Sequence, residues 1–194
     1  MIATKNPGKT DELRGLMREL PVELVDLSDF PGVPDVAETG STFEANAVLK
    51  ASEYARQTGL WSIADDSGLE VDALGGEPGV YSARYGGDDL SFGGKMNLIL
   101  GRLEGSASRT ARFACSVALA DAAGEILFTA EGICSGKIAE TPRGSGGFGY
   151  DPIFVPDGFD LTFGELDHAV KQQISHRARA TAVLIRYLLH FNAH

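Results

Sequence analysis

Asp65 and Asp66 stand side by side at the end of a short apolar run, Trp61 to Ala64, and are followed by Ser67-Gly68. Successive side chains of a strand point to opposite faces, so both acids can address one ion only where the chain leaves strand geometry. Ser-Gly is a turn former that would let it do so. Oxygen donors of this kind suit magnesium, which keeps several waters and takes one or two carboxylates together with the phosphates of a substrate. An Asp-Ser-Gly turn carrying two solvated acids is the competing reading of the same residues.

Two further segments offer ligand chemistry. In Gly144-Ser-Gly-Gly-Phe148-Gly149-Tyr150-Asp151-Pro the glycines free the backbone to approach a ligand, and the two rings offer faces either to a flat heterocycle or to the core. In Ile174-Ser175-His176-Arg177, Ser175 reads as the N-cap of a helix marked by Ala178, Ala182, Ile185 and Leu189. His176 and Arg177 then fall in its first turn, where the helix dipole disfavours cations and the backbone N–H groups attract anions. A bound phosphate or carboxylate would account for the arginine; the alternative is an ordinary surface residue.

The elements that must position these residues follow from periodicity. A helix is predicted over Thr10 to Leu20, stopped by Pro21, then a strand over Val22 to Leu27, then a helix opened by the capping box Ser41-x-x-Glu44 and ending near Arg56. The Trp61 strand, the acidic turn and a short strand over Leu69 to Val71 come next, and Phe92, Met96, Ile99 and Leu103 mark another helix. Arg112 to Ala120, with Phe113, Cys115, Val117 and Leu119 on one face, turns through Asp121 to Glu125 into Ile126 to Cys134, an antiparallel hairpin; Ile153 to Val155 is a last strand. Helices alternating with strands early and a hairpin later predict an α/β protein with a mixed β-sheet rather than a doubly wound parallel one.

At 194 residues and 43% hydrophobic content the chain can bury one sizeable core, so a single domain over residues 1–194 is expected. The net charge of −10 argues against a nucleic acid or an anionic membrane as partner, since either needs a broad basic surface. A triphosphate would have to be attracted locally, by a metal ion and a few placed cations. Cys115 and Cys134 lie in apolar runs and read as reduced, buried thiols. No run of ~18 apolar residues occurs and Met1-Ile-Ala-Thr-Lys5 turns polar at once, which predicts a soluble, cytoplasmic protein.

Taken in order and spacing, Thr4-Lys-Asn6-Pro-Gly-Lys9, Glu38-Thr-Gly-Ser-Thr-Phe-Glu-Ala-Asn46, Leu49-Lys50-Ala51, Asp65-Asp66-Ser67-Gly68, Leu74 to Tyr85, Phe148-Gly149-Tyr150-Asp151-Pro, and Lys171 ahead of Ser175-His176-Arg177 resemble the inosine triphosphate pyrophosphatase family, the dITP/XTP pyrophosphatases. The resemblance implies a long mixed β-sheet flanked by helices, two lobes with an active-site cleft between them, and a homodimer. It also implies Mg2+-dependent hydrolysis of ITP, dITP and XTP to the monophosphate and pyrophosphate. By the same resemblance Asp66 takes the proton of the attacking water and touches Mg2+, with Glu38 and Asp65 as supporting acids. Thr4, Asn6 and Lys9 wrap the triphosphate, and Lys50 joins them on the substrate. Phe148 stacks on the purine; Gly149, Tyr150, Asp151, His176 and Arg177 line the base or its approach, and Lys171 and Ser67 complete the pocket. Two departures stand out: only two residues precede Ala3, so either the start is misplaced or the first strand is short, and Ser91-Phe-Gly-Gly-Lys95 replaces a run that is usually polar, which would alter a loop edge.

Two rivals remain. Ala3-x-x-x-x-Gly8-Lys9-Thr10 nearly fits a P-loop, although alanine replaces the first glycine and Pro7 removes one of the backbone donors such a loop uses. A nucleotide-binding regulator without turnover is the other, and the intact Asp65-Asp66 pair argues against it.

Overall fold

Asn6 has extended dihedrals and its side chain accepts from the Lys9 N–H, while Pro7 fills the first helical position, where no N–H is needed. These two residues start α1 (Pro7–Met17) ahead of the expected Thr10, in a computed structural model that describes residues 1–191. The predicted strand over Val22 to Leu27 is not formed. It is reduced to one parallel bridge between Asp26 and Ile2, because the Asp26 carboxylate takes the Ser28 N–H and the Arg14 guanidinium and turns the chain into a single 3-10 turn, Leu27–Asp29. The first strand is likewise short: Ile2 bridges in parallel to Ile63 as well.

Helix α2 (Phe43–Thr58) is capped by Thr42, one residue beyond the expected Ser41, and ends at Gly59, whose φ of 68° is a left-handed conformation that glycine adopts without strain. Strand β1 (Ser62–Val71) corrects a second expectation. The chain does not turn at Ser67-Gly68; one continuous strand joins the two short ones, paired beside β2 (Thr110–Ala120) and buried along most of its length, so sheet pairing overrides the local turn tendency. The hairpin of β2 with β3 (Ile126–Ile138) forms as expected, with the Asp121 side chain accepting the Ala123 and Glu125 N–H groups in the turn. Strand β4 (Phe154–Pro156) pairs antiparallel with β3, and the sheet order is β1-β2-β3-β4. Helix α3 (Phe92–Arg102) follows its Ser91 cap. Helix α4 (His168–Ile174), too short to show a periodicity in the sequence, precedes α5 (His176–Phe191), and Ser175 is the extended residue that separates them.

The chain forms two compact units, the first from residues 1–66, 115–132 and the run from His176 onward, the second from residues 67–114 and 133–175. In the first, Leu13 and Met17 of α1 and Ala180 and Leu184 of α5 pack with Ile63, Cys115, Val117 and Leu119. A separate cluster joins Ala47, Ala51, Tyr54 and Ala55 of α2 to Ala64, Ala118 and Ala120. The two clusters take alternate residues of β1 and of β2, as a strand covered on both faces requires. In the second unit Leu69, Val71, Ile99, Leu103, Phe113, Ile138, Ile153, Phe154 and Phe163 form the core, with Phe113 and Phe154 edge to face at 4.7 Å between ring centroids. Removing the fully buried Phe154 ring by Phe154→Ala is expected to cost about 3–5 kcal/mol of stability, measured as a lowered urea unfolding midpoint. A loss below about 1 kcal/mol would place the ring outside a close-packed core.

Candidate active site

Because β1 continues through Asp65 and Asp66, the two carboxylates fall on opposite faces of the strand and meet different partners. Asp65 shares the face of Ile63, toward α1 and α5. Its Oδ2 accepts from Nε and Nη2 of Arg177, both at 3.0 Å, and lies 3.2 Å from Nζ of Lys9 and 3.9 Å from the Cys115 thiol. Arg177 also bonds the buried Glu12 of α1. Asp65 is 0% exposed and Arg177 1%. Burial alone would raise the Asp65 pKa, but the charges of Lys9, then Arg177 and Lys50, hold it well below the usual carboxylate range. Burial, then the Asp65 charge, pushes the Cys115 thiol up to about 12, and both cysteines are buried, reduced thiols as expected. The anions that accompany Arg177 in the first turn of α5 are therefore the protein's own carboxylates, and the arginine is not a surface residue.

Asp66 shares the face of Ala64, toward α2. Asn46 Nδ2 donates to its Oδ2 at 3.0 Å and Lys50 Nζ to its Oδ1 at 3.2 Å; the same ammonium holds Glu38 Oε1 at 2.5 Å. Burial raises the Asp66 pKa, against Lys50 and Lys9, which pull it down. For Lys50 the opposition resolves the other way: burial lowers its pKa, yet Asp66, Asp65 and Glu38 together raise it. Among the described residues no three His, Cys, Asp or Glu side chains gather as a metal-binding group. Glu38 and Asp66 converge on Lys50, and two hard oxygen donors at one point suit magnesium's habit of taking one or two carboxylates. Asp65, on the other face and spent on Arg177 and Lys9, does not join them.

Thr4 and Asn6 sit at the start of α1. Thr4 Oγ1 accepts the Asn6 N–H at 3.2 Å, and Thr10 Oγ1 donates to the Asn6 carbonyl. Lys9, in the first turn, keeps 14% of its side chain exposed. His176 is buried at the start of α5, where β3 passes so closely that a Cβ on Gly132 would lie 2.2 Å from the His176 carbonyl oxygen.

The second unit gathers its own cluster. Asp151 Oδ2 accepts the Phe148 N–H at 2.7 Å and pairs with Lys171, whose ammonium lies 4.8 Å from the centroid of the Phe148 ring. Gly147, at φ 68°, must lack a side chain: a Cβ there would lie 2.0 Å from Asp151 Oδ2. Phe148 and Gly149 are half-buried. Tyr150 is buried against Phe92 and its hydroxyl donates to the Ser82 carbonyl, so its ring serves the core. Ser67 is half-buried on β1, directly after Asp66.

The Ham1 family model matches residues 1–187. The chain belongs to the Ham1 family. It is 47% identical over 191 residues to a protein of Exiguobacterium named dITP/XTP pyrophosphatase, covering 98% of this chain and 97% of that one. A protein of the same name from Geobacillus kaustophilus is 51% identical over 186 residues, covering 95% and 91%. The solved structure of a HAM1 protein from Coxiella burnetii superposes with a TM-score of 0.89 at 40% identity, covering 97% of each chain. That match and the sheet described above bear out the α/β class; parallel pairing enters the otherwise antiparallel sheet through Ile2.

Two residues of this Ham1 chain's charged clusters carried no assignment in the sequence. Asn46 was legible in principle, since it lies four residues before Lys50 on α2 and hence on the same face. Glu12 gave no signal, being one acid in an ordinary amphipathic helix. Because the Asp65 pKa is depressed on folding, its contribution to stability is complete above the unfolded value and is lost as pH falls toward the folded one. Asp65→Asn is therefore expected to destabilise the protein at pH 7 and to flatten the loss of stability between about pH 5 and pH 2, read by urea unfolding at each pH. An unchanged slope would show that Asp65 is not the depressed group.

Proposed function

We propose that this Ham1 chain hydrolyses the non-standard purine triphosphates ITP, dITP and XTP to the monophosphate and pyrophosphate, and that both units work as one functional domain. The observation that carries this reading is Asp66: a largely buried carboxylate with a raised pKa, tethered through both oxygens and set beside Glu38 and Lys50. The names of the close relatives point to the same chemistry.

In this reading water attacks the α-phosphorus, Asp66 accepts its proton, the bond from the α-phosphorus to the bridging oxygen breaks, and pyrophosphate leaves. A carboxylate has about four lone-pair sites, so one tether on each oxygen leaves capacity for the water. A raised pKa makes Asp66 a better proton acceptor than an ordinary aspartate. Glu38 and Asp66 would hold Mg2+, which when bound neutralises phosphate oxygens. Lys9, which has three donors and spends one on Asp65, counters triphosphate charge together with Lys50, while Thr4, Asn6 and the N–H groups opening α1 face the phosphates. Arg177 and His176 act from below the surface, Arg177 by fixing Asp65.

The base is assigned to the second unit: Phe148 stacks on it, Lys171 and Asp151 fix that loop, Gly149 and Ser67 border the base, and Tyr150 supports from the core. A 6-keto purine offers an acceptor where adenine offers a donor. Each polar group left unpaired by the wrong base costs about 1–3 kcal/mol, so two such contacts at about 2 kcal/mol each give selectivity of several hundredfold. The working form proposed is a cytoplasmic homodimer; no helix among the described residues is long and apolar enough to cross a membrane.

Incubation with ITP and Mg2+, with ATP in parallel and the phosphorus products resolved, tests the reading. IMP and pyrophosphate with ATP nearly untouched are expected, at a rate that is higher under alkaline conditions, where the attacking water is more readily deprotonated, and that is lost on chelating the metal. Orthophosphate plus a diphosphate, as a P-loop enzyme would give, or an absence of turnover would overturn it.

A further inference from the structure

Asn46 and Lys50 lie one turn apart on the same face of α2 and take different oxygens of Asp66, Asn46 at Oδ2 and Lys50 at Oδ1. Asn46 is 0% exposed. Its Oδ1 accepts the Gly40 N–H at 2.7 Å, which fixes its Nδ2 as the end that faces Asp66. Gly40 is fitted to this contact. A Cβ on it would lie 2.7 Å from Asn46 Oδ1, 2.8 Å from the Ala45 Cβ and 3.0 Å from the Asn46 nitrogen, although its φ is not left-handed. Glycine therefore stands there for close approach rather than for conformational freedom. The loop it belongs to also carries Glu38, which pairs with the same Lys50.

We propose that Asn46, backed by Gly40, is a positioning residue that aims the Asp66 carboxylate at the attacking water. The terminal torsion of an aspartate is broad, so a carboxylate held through one oxygen can swing; a second tether on the other oxygen fixes its plane. Lys50 alone cannot supply this, because its ammonium sits on a flexible stem and is shared with Glu38. Substrate affinity resides in other residues, so losing the aim lowers kcat and leaves KM nearly unchanged. The inference rests on Asp66 as the proton acceptor of the proposed reaction.

The test measures kcat and KM for ITP with Mg2+, and thermal melting, for the wild type and for Asp66→Asn, Asn46→Asp, Asn46→Ala and Gly40→Ala. Asn46→Asp is nearly isosteric: it still accepts the Gly40 N–H, removes the donor to Asp66 and sets a like charge against it, while Asn46→Ala removes the donor without adding charge. Both Asn46 variants are expected to lose about 10–100-fold in kcat with KM within about threefold of wild type. Gly40→Ala, which deletes no polar group, is expected to lose about tenfold in the same parameter. If Asn46→Ala does not fold, Asn46→Asp and Gly40→Ala decide by the same criteria. Retention of kcat within about twofold, or a loss that appears in KM instead, overturns the inference. A wild type without turnover removes the proposed function and this inference together. A turning-over wild type with Asp66→Asn inactive and Asn46→Asp fully active removes this inference alone.

Discussion

The period-two alternation of β1 sends two adjacent carboxylates to opposite faces of one buried strand, and the buried charged groups of the first unit are arranged around that division. Asp65 collects Lys9 and Arg177 on the face packed by α1 and α5; Asp66 collects Asn46 and Lys50 on the face packed by α2. A turn at Ser67-Gly68 would have merged the two sites. Continuous pairing of the strand keeps them apart, and the same division shifts the two pKa values in opposite directions.

That opposition separates two kinds of work. A carboxylate buried among cations is ionised at any ordinary pH and is a poor proton acceptor; it ties α1 and α5 to the sheet, with Glu12 completing the charge around Arg177. Such a network is costly to desolvate and costlier to break, because losing one partner strands the others in a low-dielectric interior. A carboxylate that burial pushes upward is the better base. One strand thus carries a fixed counter-ion and, in the proposed reaction, the proton acceptor on consecutive residues. The aromatic loop of the second unit follows a parallel logic on a smaller scale: Asp151 fixes the Phe148 backbone and anchors Lys171 beside the ring.

Much of this was legible in the sequence. The β2–β3 hairpin, the helices around Phe43–Thr58 and Phe92–Arg102, the buried cysteines and the motif residues all carried strong local or periodic signals. The errors arose where long-range contacts decide. Ser67-Gly68 has turn chemistry, but neighbouring strands hold it extended. Val22 to Leu27 alternates as a strand does, but the hydrogen bonds of Asp26 divert it. The partner of Arg177 could not be read because Glu12 and Asp65 lie 165 and 112 residues away in sequence. Asn46 was visible at helical spacing from Lys50, yet only its contacts with Gly40 and Asp66 distinguish it from an ordinary capping-segment amide.

The division of labour between neighbouring acids is tested most directly by comparing Asp65→Asn with Asp66→Asn for unfolding free energy and for kcat on ITP with Mg2+. Asp66→Asn is expected to stay within about 1 kcal/mol of wild-type stability while losing at least about 100-fold in kcat, and Asp65→Asn to be destabilised by about 3 kcal/mol or more. An Asp66→Asn protein that turns over ITP at the wild-type rate, or an Asp65→Asn protein as stable as wild type, would contradict that division.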